Sequence, residues 1–177
     1  DFMAAIRGLI ALETFDINLG NCVMTPESFL LLANGIGSIK SLQKLRLNLN
    51  SHNEIGNAQI KSFCLALGKL TLKQLDLNLW CSRRITDEGV KLLAEGITNQ
   101  QHLEELKLRF LIAKLITNQG LEFIYEKIKK LRLKSLDLDC PKINGISDKI
   151  LKVLGDTLKT MDFLEYLHLD FRMCVEF

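Results

Sequence analysis

The sequence predicts an α/β solenoid: a horseshoe-shaped stack of short units with a parallel sheet on the concave side and helices on the convex side. Two observations lead to this fold class. An eight-residue pattern of alternating apolar and polar residues recurs six times, at intervals of 30 or 31 residues. A run with helical apolar spacing follows five of the six copies. A regular period of this length is typical of repeats that bury their cores against one another.

Each eight-residue copy, called an octet below, has the pattern of a half-buried strand. Its fourth, sixth and eighth residues are apolar, so one face packs on a core while the other is solvated. Equivalent residues of neighbouring octets can therefore pair side by side. The six octets are LETFDINL (12–19), LQKLRLNL (42–49), LKQLDLNL (72–79), LEELKLRF (103–110), LKSLDLDC (133–140) and LEYLHLDF (164–171).

A helix is predicted after each of the first five octets. Thr25, Thr86 and Ser147 provide hydroxyl oxygens where three of these helices should begin, and proline or acidic residues follow them. Apolar residues then recur at helical spacing. Those expected to face the core are Phe29, Leu32 and Ile36; Ile60, Phe63 and Leu67; Val90, Leu93 and Ile97; Leu121, Ile124 and Ile128; and Ile150, Val153 or Leu154, and Leu158.

The spacing of these elements requires a curved stack. Paired strands lie about 4.8 Å apart, whereas packed helices need roughly 8–10 Å. A straight array cannot satisfy both distances. The strands must therefore line the inner side and the helices the outer side.

The units resemble the leucine-rich repeats of the ribonuclease-inhibitor-like subfamily. The resemblance rests on LxxLxL in the octets, on the period, and on Asn-x-Ile at residues 53–55 and 144–146, and it covers residues 12–171. The asparagine follows the sixth octet residue by six positions rather than the family's three, and Arg83 and Lys114 replace it in two repeats. We therefore expect a longer turn and no continuous asparagine ladder. The shorter, cysteine-rich repeats of F-box receptors fit less well.

We expect one leucine-rich repeat domain over residues 1–177, with about six repeats of about 30 residues, as a fragment of a longer chain. No helical pattern follows the last octet, and solenoids need capping units over their terminal layers. The isolated segment should therefore be marginally stable. Its open C-terminal edge around Phe171, Met173 and Phe177 is a candidate docking edge.

Composition excludes several classes of function. The formal net charge of +2 is too small to indicate nucleic-acid binding, and no apolar run reaches the roughly 20 residues of a membrane span. Five widely spaced cysteines without a CxxC pair are typical of a reducing compartment. These features predict a cytoplasmic protein, with a cytoskeletal or ciliary setting as one possibility.

No motif for catalysis, a cofactor or a metal is present. The sequence lacks a P-loop, GxGxxG, HExxH and GxSxG. Cys22, Cys81 and Cys140 fall in alternate repeats, about 10 Å apart, too far for ligands of one zinc ion with Zn–S bonds of about 2.3 Å. We therefore predict that the chain is not an enzyme and has no cofactor or metal.

Two columns of side chains should cover the concave face. The first column, at the fifth octet position, alternates in sign, and neighbouring opposite charges stabilise a sheet by roughly 0.2–1 kcal/mol each. The column has two interpretations: mutual neutralisation, or a mixed-polarity surface for a protein partner. The second column begins with three amides and then places Arg109 beside Asp139 as another opposite pair. The fifth-position column is Asp16, Arg46, Asp76, Lys107, Asp137 and His168, and the seventh-position column is Asn18, Asn48, Asn78, Arg109, Asp139 and Asp170.

The only tryptophan stands directly after the third octet. If strand alternation continues by one residue, Trp80, Leu111 and Pro141 form an apolar strip along the lip of the concave face. Tryptophan is a frequent interface anchor, and exposed apolar patches usually have a function. The alternative is a turn that folds back and buries Trp80 locally.

The leading hypothesis is a non-catalytic protein–protein interaction module or scaffold, with protein partners and a place in a larger complex. Its site comprises the apolar strip, the charges that set register, and two residues of the last strand. The alternatives are a structural subunit of a cytoskeletal or ciliary assembly, and a small-GTPase regulator acting through Arg83 or Arg84. A basic run at 127–134 is either a solvated helix end or a surface for an acidic partner. The site residues are Trp80, Leu111 and Pro141, Lys107, Arg109, Asp137 and Asp139, and Tyr166 and His168.

Overall fold

A computed structural model describes residues 5–6, 8–50, 54–80, 83–110, 115–140 and 146–172. Within these residues, six strands alternate with five helices. The strands are β1 (Thr14–Asn18), β2 (Lys44–Asn48), β3 (Gln74–Asn78), β4 (Glu105–Arg109), β5 (Ser135–Asp139) and β6 (Tyr166–Asp170). The helices are α1 (Pro26–Ile36), α2 (Asn57–Leu67), α3 (Asp87–Thr98), α4 (Asn118–Ile128) and α5 (Asp148–Leu158).

The strands form one parallel sheet in the order β1-β2-β3-β4-β5-β6. Each strand residue lies opposite its equivalent in the next repeat, as Asp16 opposite Arg46 and Arg46 opposite Asp76. The strands occupy the third to seventh residues of the octets. The α/β solenoid, with the sheet on its concave side and the helices on its convex side, is therefore confirmed together with its register.

The core lies between the sheet and the helices. Leu45, Leu75 and Leu106, at the fourth octet position, are at most 1% exposed, and full burial of such a side chain stabilises the fold by roughly 1.5–3 kcal/mol. The predicted inward residues of α1 to α4 are all buried. In α5, Ile150 and Leu154 are buried, whereas Val153 and Leu158 are only partly buried because no described helix packs outside them.

The predicted N-cap hydroxyls are present. Thr25 Oγ1 accepts a hydrogen bond from the Ser28 N–H at 3.2 Å, and Thr86 Oγ1 accepts one from the Glu88 N–H at 3.3 Å. Ser147 caps α5 in the same way. Each such bond satisfies one of the backbone donors that a helix start leaves without an intrahelical partner.

A polar ladder that the sequence did not reveal joins the starts of successive helices. The Thr86 N–H donates to Asn57 Oδ1 at 3.1 Å, and the Thr117 N–H donates to Asp87 Oδ1 at 2.8 Å. One repeat further along the chain, the Ser147 N–H donates to Asn118 Oδ1 at 3.4 Å. In each pair, the first residue of one helix holds the N-cap residue of the following helix. The cap ladder therefore couples α2 to α5.

Glycine makes room for this ladder in two repeats. A Cβ at Gly89 would clash with the Asn57 carboxamide, and a Cβ at Gly120 would clash with the Asp87 carboxylate. The two glycines stand at the third residue of their helices, where an alanine would increase helix propensity. Close approach of the preceding repeat therefore explains glycine at these positions.

The turns after the strands are only partly described. Residues 53, 114 and 144 of the expected asparagine column lie outside the described residues, whereas Arg83 is exposed. The predicted isoleucine after this column is buried in repeat two as Ile55. A parallel bridge between Gly56 and Arg84 pairs the turns of repeats two and three.

The last core layer is open among the described residues. Leu167 of β6 is 43% exposed, compared with 0% for its equivalent Leu75. Phe163 is 51% exposed, and Phe171 is partly buried. The marginal stability of the isolated segment remains a prediction. Met173 and Phe177 of the proposed docking edge lie outside the described residues.

Candidate protein-binding surface

The outward side chains of the sheet enclose a hollow of about 740 Å³ on the concave face. Alternation along each strand turns the leucines toward the helices and the polar residues toward the hollow. Most of its lining side chains are therefore polar. The lining includes Arg46, Asp76, Lys107, Arg109, Asp137 and Tyr166.

An ion-pair network follows the fifth-position column. Arg46 Nη1 lies 2.8 Å from Asp16 Oδ2, and Arg46 Nε lies 3.2 Å from Asp76 Oδ2. Lys107 forms an ion pair with Asp137 on the next strand. Asp76 is 8% exposed and Asp137 is 5% exposed, so these carboxylates are held by their cations inside the surface. The predicted mutual neutralisation accounts for this part of the column.

Arg109 does not pair as the sequence indicated. Its Nη1 lies 2.7 Å from Asp76 Oδ1, diagonally across to β3, instead of pairing with Asp139 beside it on β5. Asp76 already binds Arg46 through its other oxygen. A buried carboxylate between two guanidinium groups is a stronger acceptor site than a partly solvated one. The predicted opposite charges Arg109 and Asp139 are neighbours in the sheet register, and Arg109 acts to lower the pKa of Asp139. The ion pair of Arg109 is with Asp76, which connects three strands.

The seventh-position amides form local turns. Asn18 Oδ1 accepts from the Gly20 N–H at 3.0 Å, and Asn48 Oδ1 accepts from the Asn50 N–H at 3.1 Å. In repeat three, Asn78 Oδ1 accepts from the Trp80 N–H at 3.0 Å. Such turns let a short polar side chain satisfy the backbone donor two residues later. These amide oxygens therefore end their strands.

Asp170 forms the same kind of turn in repeat six. The Arg172 N–H donates to its Oδ1 at 3.0 Å, and Arg172 Nη2 lies 2.6 Å from its Oδ2. The hydrogen bonds from Arg172 lower the pKa of Asp170 from its usual value, and they outweigh the opposing effect of desolvation. In repeats one, two, three and six, the strand thus ends with the same hydrogen bond from the backbone N–H two residues later to the seventh-position side chain.

Asp139 departs from this pattern. Its Oδ1 is buried and accepts no hydrogen bond from the described part of the chain. The residue two positions later is Pro141, and proline has no backbone N–H to donate. Burial raises the pKa of Asp139, and the nearby Asp170 carboxylate raises it further. Arg109 and Arg172 act in the opposite direction and lower it. One oxygen of this carboxylate therefore lacks a hydrogen-bond donor among the described residues.

Trp80 follows the end of β3 by two residues. Its side chain is 37% exposed, directly after the buried Leu79. The predicted strip also requires Leu111 and Pro141, and both lie outside the described residues. Trp80 is thus accessible, and the continuous strip remains a prediction.

The last strand presents the other two predicted residues. Tyr166 is 53% exposed and lines the hollow, while His168 is exposed two residues later. Since alternate residues of a strand share a face, both belong to the same end of the concave surface as Asp139. The predicted column at this end is present in register.

Sequence reasoning missed the third-position column. Gln74, Glu105 and Ser135 line the hollow beside Tyr166. They lie two residues before the fifth-position column and share its face. The same column comparison applied to position three would have found them.

The remaining candidate residues show no catalytic arrangement. Arg84 Nη1 lies 2.6 Å from Glu54 Oε2, and Arg83 is exposed. In the part of the chain that the structure describes, no three His, Cys, Asp or Glu residues are placed to share a metal ion. Among the same residues, no helix combines the length and apolar character of a membrane span.

The fold is similar to a solved structure of leiomodin-1 actin-binding site 2, with a TM-score of 0.63. The alignment covers 90% of this chain and 87% of that chain at 14% sequence identity. No protein-family model matches the sequence, and no curated protein sequence matches it. A likeness at this identity concerns the fold alone. With the LxxLxL octets and the register of the sheet, it shows that this chain is an α/β leucine-rich repeat solenoid.

Proposed function

We propose that the chain is a non-catalytic protein–protein interaction module that binds a protein partner with its concave face. The observation that supports this proposal is the hollow of about 740 Å³. Its charged side chains are already held in place by ion pairs within the chain. Lys107 and Arg109 are each held by a buried carboxylate. Side chains that are already ordered lose little entropy on binding, so more of the contact energy contributes to affinity.

Each part of the surface has a separate role in this proposal. Trp80 and Tyr166 are exposed aromatic anchors at its rim, of the type that dominates interface energies. The charged column fixes the register of the partner, because juxtaposed like charges oppose a shifted alignment. Asp139 adds a partly exposed negative charge to this surface. The surface extends along the apolar strip through Leu111 and Pro141, and along β6 through His168.

The ribonuclease-inhibitor-like subfamily remains part of the proposal, as does a domain within a longer chain. The period and the helix in every complete repeat support the subfamily. A reducing, cytoplasmic setting is supported by Cys22 and Cys64, which are free thiols. Burial, aided by Glu95, raises the pKa of the Cys64 thiol to about 12. This makes Cys64 a poor nucleophile.

A cytoskeletal role is the second candidate. It is favoured by the likeness of the fold to leiomodin-1 actin-binding site 2. Filamentous actin is therefore the first partner to examine, and a structural subunit of a cytoskeletal or ciliary assembly is the wider form of this candidate. Co-sedimentation of the 177-residue chain with actin filaments tests it. Absence of the chain from the pellet at micromolar actin would contradict the actin form.

The GTPase-regulator alternative depends on an exposed arginine. Arg84 is engaged by Glu54, which leaves Arg83 as the candidate. GTP hydrolysis stimulated by the chain and lost with Arg83→Ala would support this alternative. A chain that does not stimulate hydrolysis would exclude the tested GTPase.

Affinity capture with matched variants tests the leading proposal. The wild-type chain, a concave-face variant (Lys107→Ala with Tyr166→Ala) and a convex-face variant (Lys61→Ala with Leu65→Ala) are cross-linked to partners in extract from the native source. Circular dichroism verifies that all three are folded. We expect a stoichiometric partner that the wild-type and convex-face chains retain and the concave-face variant loses. Loss only with the convex-face variant would contradict the concave site.

A further inference from the structure

A second surface lies at the edge of the sheet where the strands begin. The segments that return from each helix to the next strand enclose two hollows there, of about 350 and 310 Å³. Lys73 and His102 line both, so the hollows are adjacent, and we call them together the strand-start groove. It is lined by residues of the five returns that precede β2 to β6, from Lys40 to Phe163.

The described lining of this groove is strongly basic. Lys40, Lys73, Arg132 and Lys134 line it, and Glu104 is the one carboxylate among the described lining residues. Lys134 Nζ neutralises Glu104 across 2.8 Å. Their hydrogen bond and mutual attraction lower the pKa of Glu104 and raise that of Lys134. A chain with a formal net charge of only +2 therefore concentrates positive charge in one groove.

Two of these cations have a structural role. Lys40 Nζ donates to the carbonyl oxygens of Gly37 at 3.3 Å and Lys69 at 3.1 Å, which ties two returns together. The Lys134–Glu104 pair ties two others in the same way. Their charges are present in the groove, but the fold itself accounts for their positions.

The other two cations, Lys73 and Arg132, form no ion pair within 4.0 Å of a carboxylate in the described part of the chain, although Lys73 is near enough to Glu104 to help lower its pKa. The Arg132 guanidinium lies over the Phe163 ring, 5.0 Å from its centroid, and the ring itself is 51% exposed. A cation–π contact of this kind restrains the guanidinium without using its N–H donors. Arg132 is therefore oriented for an external acceptor.

We propose that the strand-start groove binds an extended acidic peptide segment of a partner protein. Carboxylate side chains complement Lys73 and Arg132, and charge complementarity of this kind sets orientation and association rate. The groove crosses four intervals between strands, about 19 Å at about 4.8 Å each. An extended chain advances about 3.3 Å per residue, so the groove accommodates about six residues.

The limits of the positive charge favour a peptide over a nucleic acid. Glu105 and Glu165 lie close enough to Lys134 to contribute to the rise in its pKa. These carboxylates limit the positive potential to a short stretch, which suits a short acidic segment better than the long phosphate backbone of a nucleic acid. Because this surface is separate from the concave hollow, the proposal does not depend on the concave-face function.

Fluorescence anisotropy with a labelled hexaglutamate peptide tests the groove. The 177-residue chain is compared with a groove variant, Lys73→Glu with Arg132→Glu, and with a control, Lys61→Glu with Lys152→Glu, on exposed positions of α2 and α5. Both variants change the net charge equally. We expect the groove variant to weaken binding by about tenfold or more, and the control to change it by less than about twofold.

Further arms distinguish binding in the groove from binding elsewhere on the chain and from a general attraction of charges. The concave-face variant, Lys107→Ala with Tyr166→Ala, should retain hexaglutamate binding, and a hexalysine peptide should not bind the groove. The milder Lys73→Gln with Arg132→Gln pair replaces the groove variant if circular dichroism shows that the latter unfolds. Equal losses in the groove and control variants would overturn the proposal. So would tighter, groove-dependent binding of single-stranded RNA or of phosphatidylserine vesicles.

Discussion

The seventh octet position is used differently in repeats one to three and in repeats four and five. In repeats one to three it is asparagine, and each amide oxygen accepts from the backbone N–H two residues later. In repeats four and five it is Arg109, which binds Asp76 on the preceding strand, and Asp139, whose Oδ1 accepts no hydrogen bond from the described residues. The same backbone position thus ends the strand in repeats one to three, and again at Asp170 in repeat six, whereas it supplies charge in repeats four and five.

This difference shows how a repeat protein can acquire a binding surface without changing its fold. The strands keep one register through all six repeats, because the leucines that face the helices determine it. Side chains on the opposite face are free to differ. Where they are not needed to end their own strand, they become available to a neighbouring strand or to a partner.

Asp76→Ala should have the largest effect on stability, because Asp76 joins the two halves of the sheet through Arg46 and Arg109. We expect a loss of about 2 kcal/mol in the free energy of unfolding, less than for a fully buried pair because both arginines can be rehydrated. Denaturant titration measures it. The matched change Asp16→Ala, at an exposed carboxylate that pairs with Arg46 alone, should cost under about 0.5 kcal/mol. Equal costs would contradict the bridging role.

Asn48→Ala should destabilise the first half by about 1 kcal/mol, since the Asn50 N–H loses its acceptor. Asp139→Ala removes no such acceptor from the described chain, so its cost in the same denaturant titration should be smaller. A greater cost for Asp139→Ala would show that the two halves use this position alike.

Asp139→Asn should stabilise the free chain slightly at neutral pH, by under about 1 kcal/mol because the side chain is partly exposed. A carboxyl whose pKa is raised by folding favours the protonated native state, so its charge opposes folding once the pH exceeds its folded pKa. The gain over wild type should therefore shrink as the pH falls through that pKa toward the ordinary aspartate range. Thermal melts of both proteins from about pH 7 to about pH 3 measure it. A gain that grows toward low pH would contradict the sign.

Pro141→Ala should have the smallest effect on stability, and it tests whether a backbone donor at this position changes the pKa of Asp139. It restores a backbone N–H two residues after Asp139, as in the first three repeats. We expect the pKa of Asp139 to fall toward its ordinary value, which carboxyl-carbon NMR can follow. The pKa of Asp170 should change little, because Arg172 already holds that carboxylate. An unchanged pKa of Asp139 would show that the absent donor is not the cause.

The sequence predicted what depends on period and alternation. The strand register, the inward helix residues and the caps at Thr25, Thr86 and Ser147 follow from spacing and local hydrogen-bonding chemistry. The Arg109–Asp76 pair does not, because a long side chain reaches diagonal neighbours as easily as direct ones. The turns formed by Asn18, Asn48 and Asn78 could have been predicted from the sequence. Asparagine side chains at the end of a strand often accept a hydrogen bond from a nearby backbone N–H.

The candidate site was less predictable than the fold. The exposure of Trp80 depends on how the chain leaves β3, and alternation ceases to be a guide once a strand ends. Asp139 was predicted as a charge, whereas the lack of a donor for its Oδ1 follows from comparing the residue two positions later, Pro141, with its equivalents in the other repeats. The third-position residues Gln74, Glu105 and Ser135 were missed because only one of them is charged, and the prediction rested on the charged columns.

The cap ladder has a consequence for the order in which the chain is made. Asn57, Asp87 and Asn118 each hold the start of the following helix, so every contact points from an earlier repeat to a later one. Synthesis delivers the earlier repeat first. A newly emerging helix therefore meets a folded template that already presents the acceptor for its first turn, and assembly can advance from one repeat to the next as the ribosome releases them.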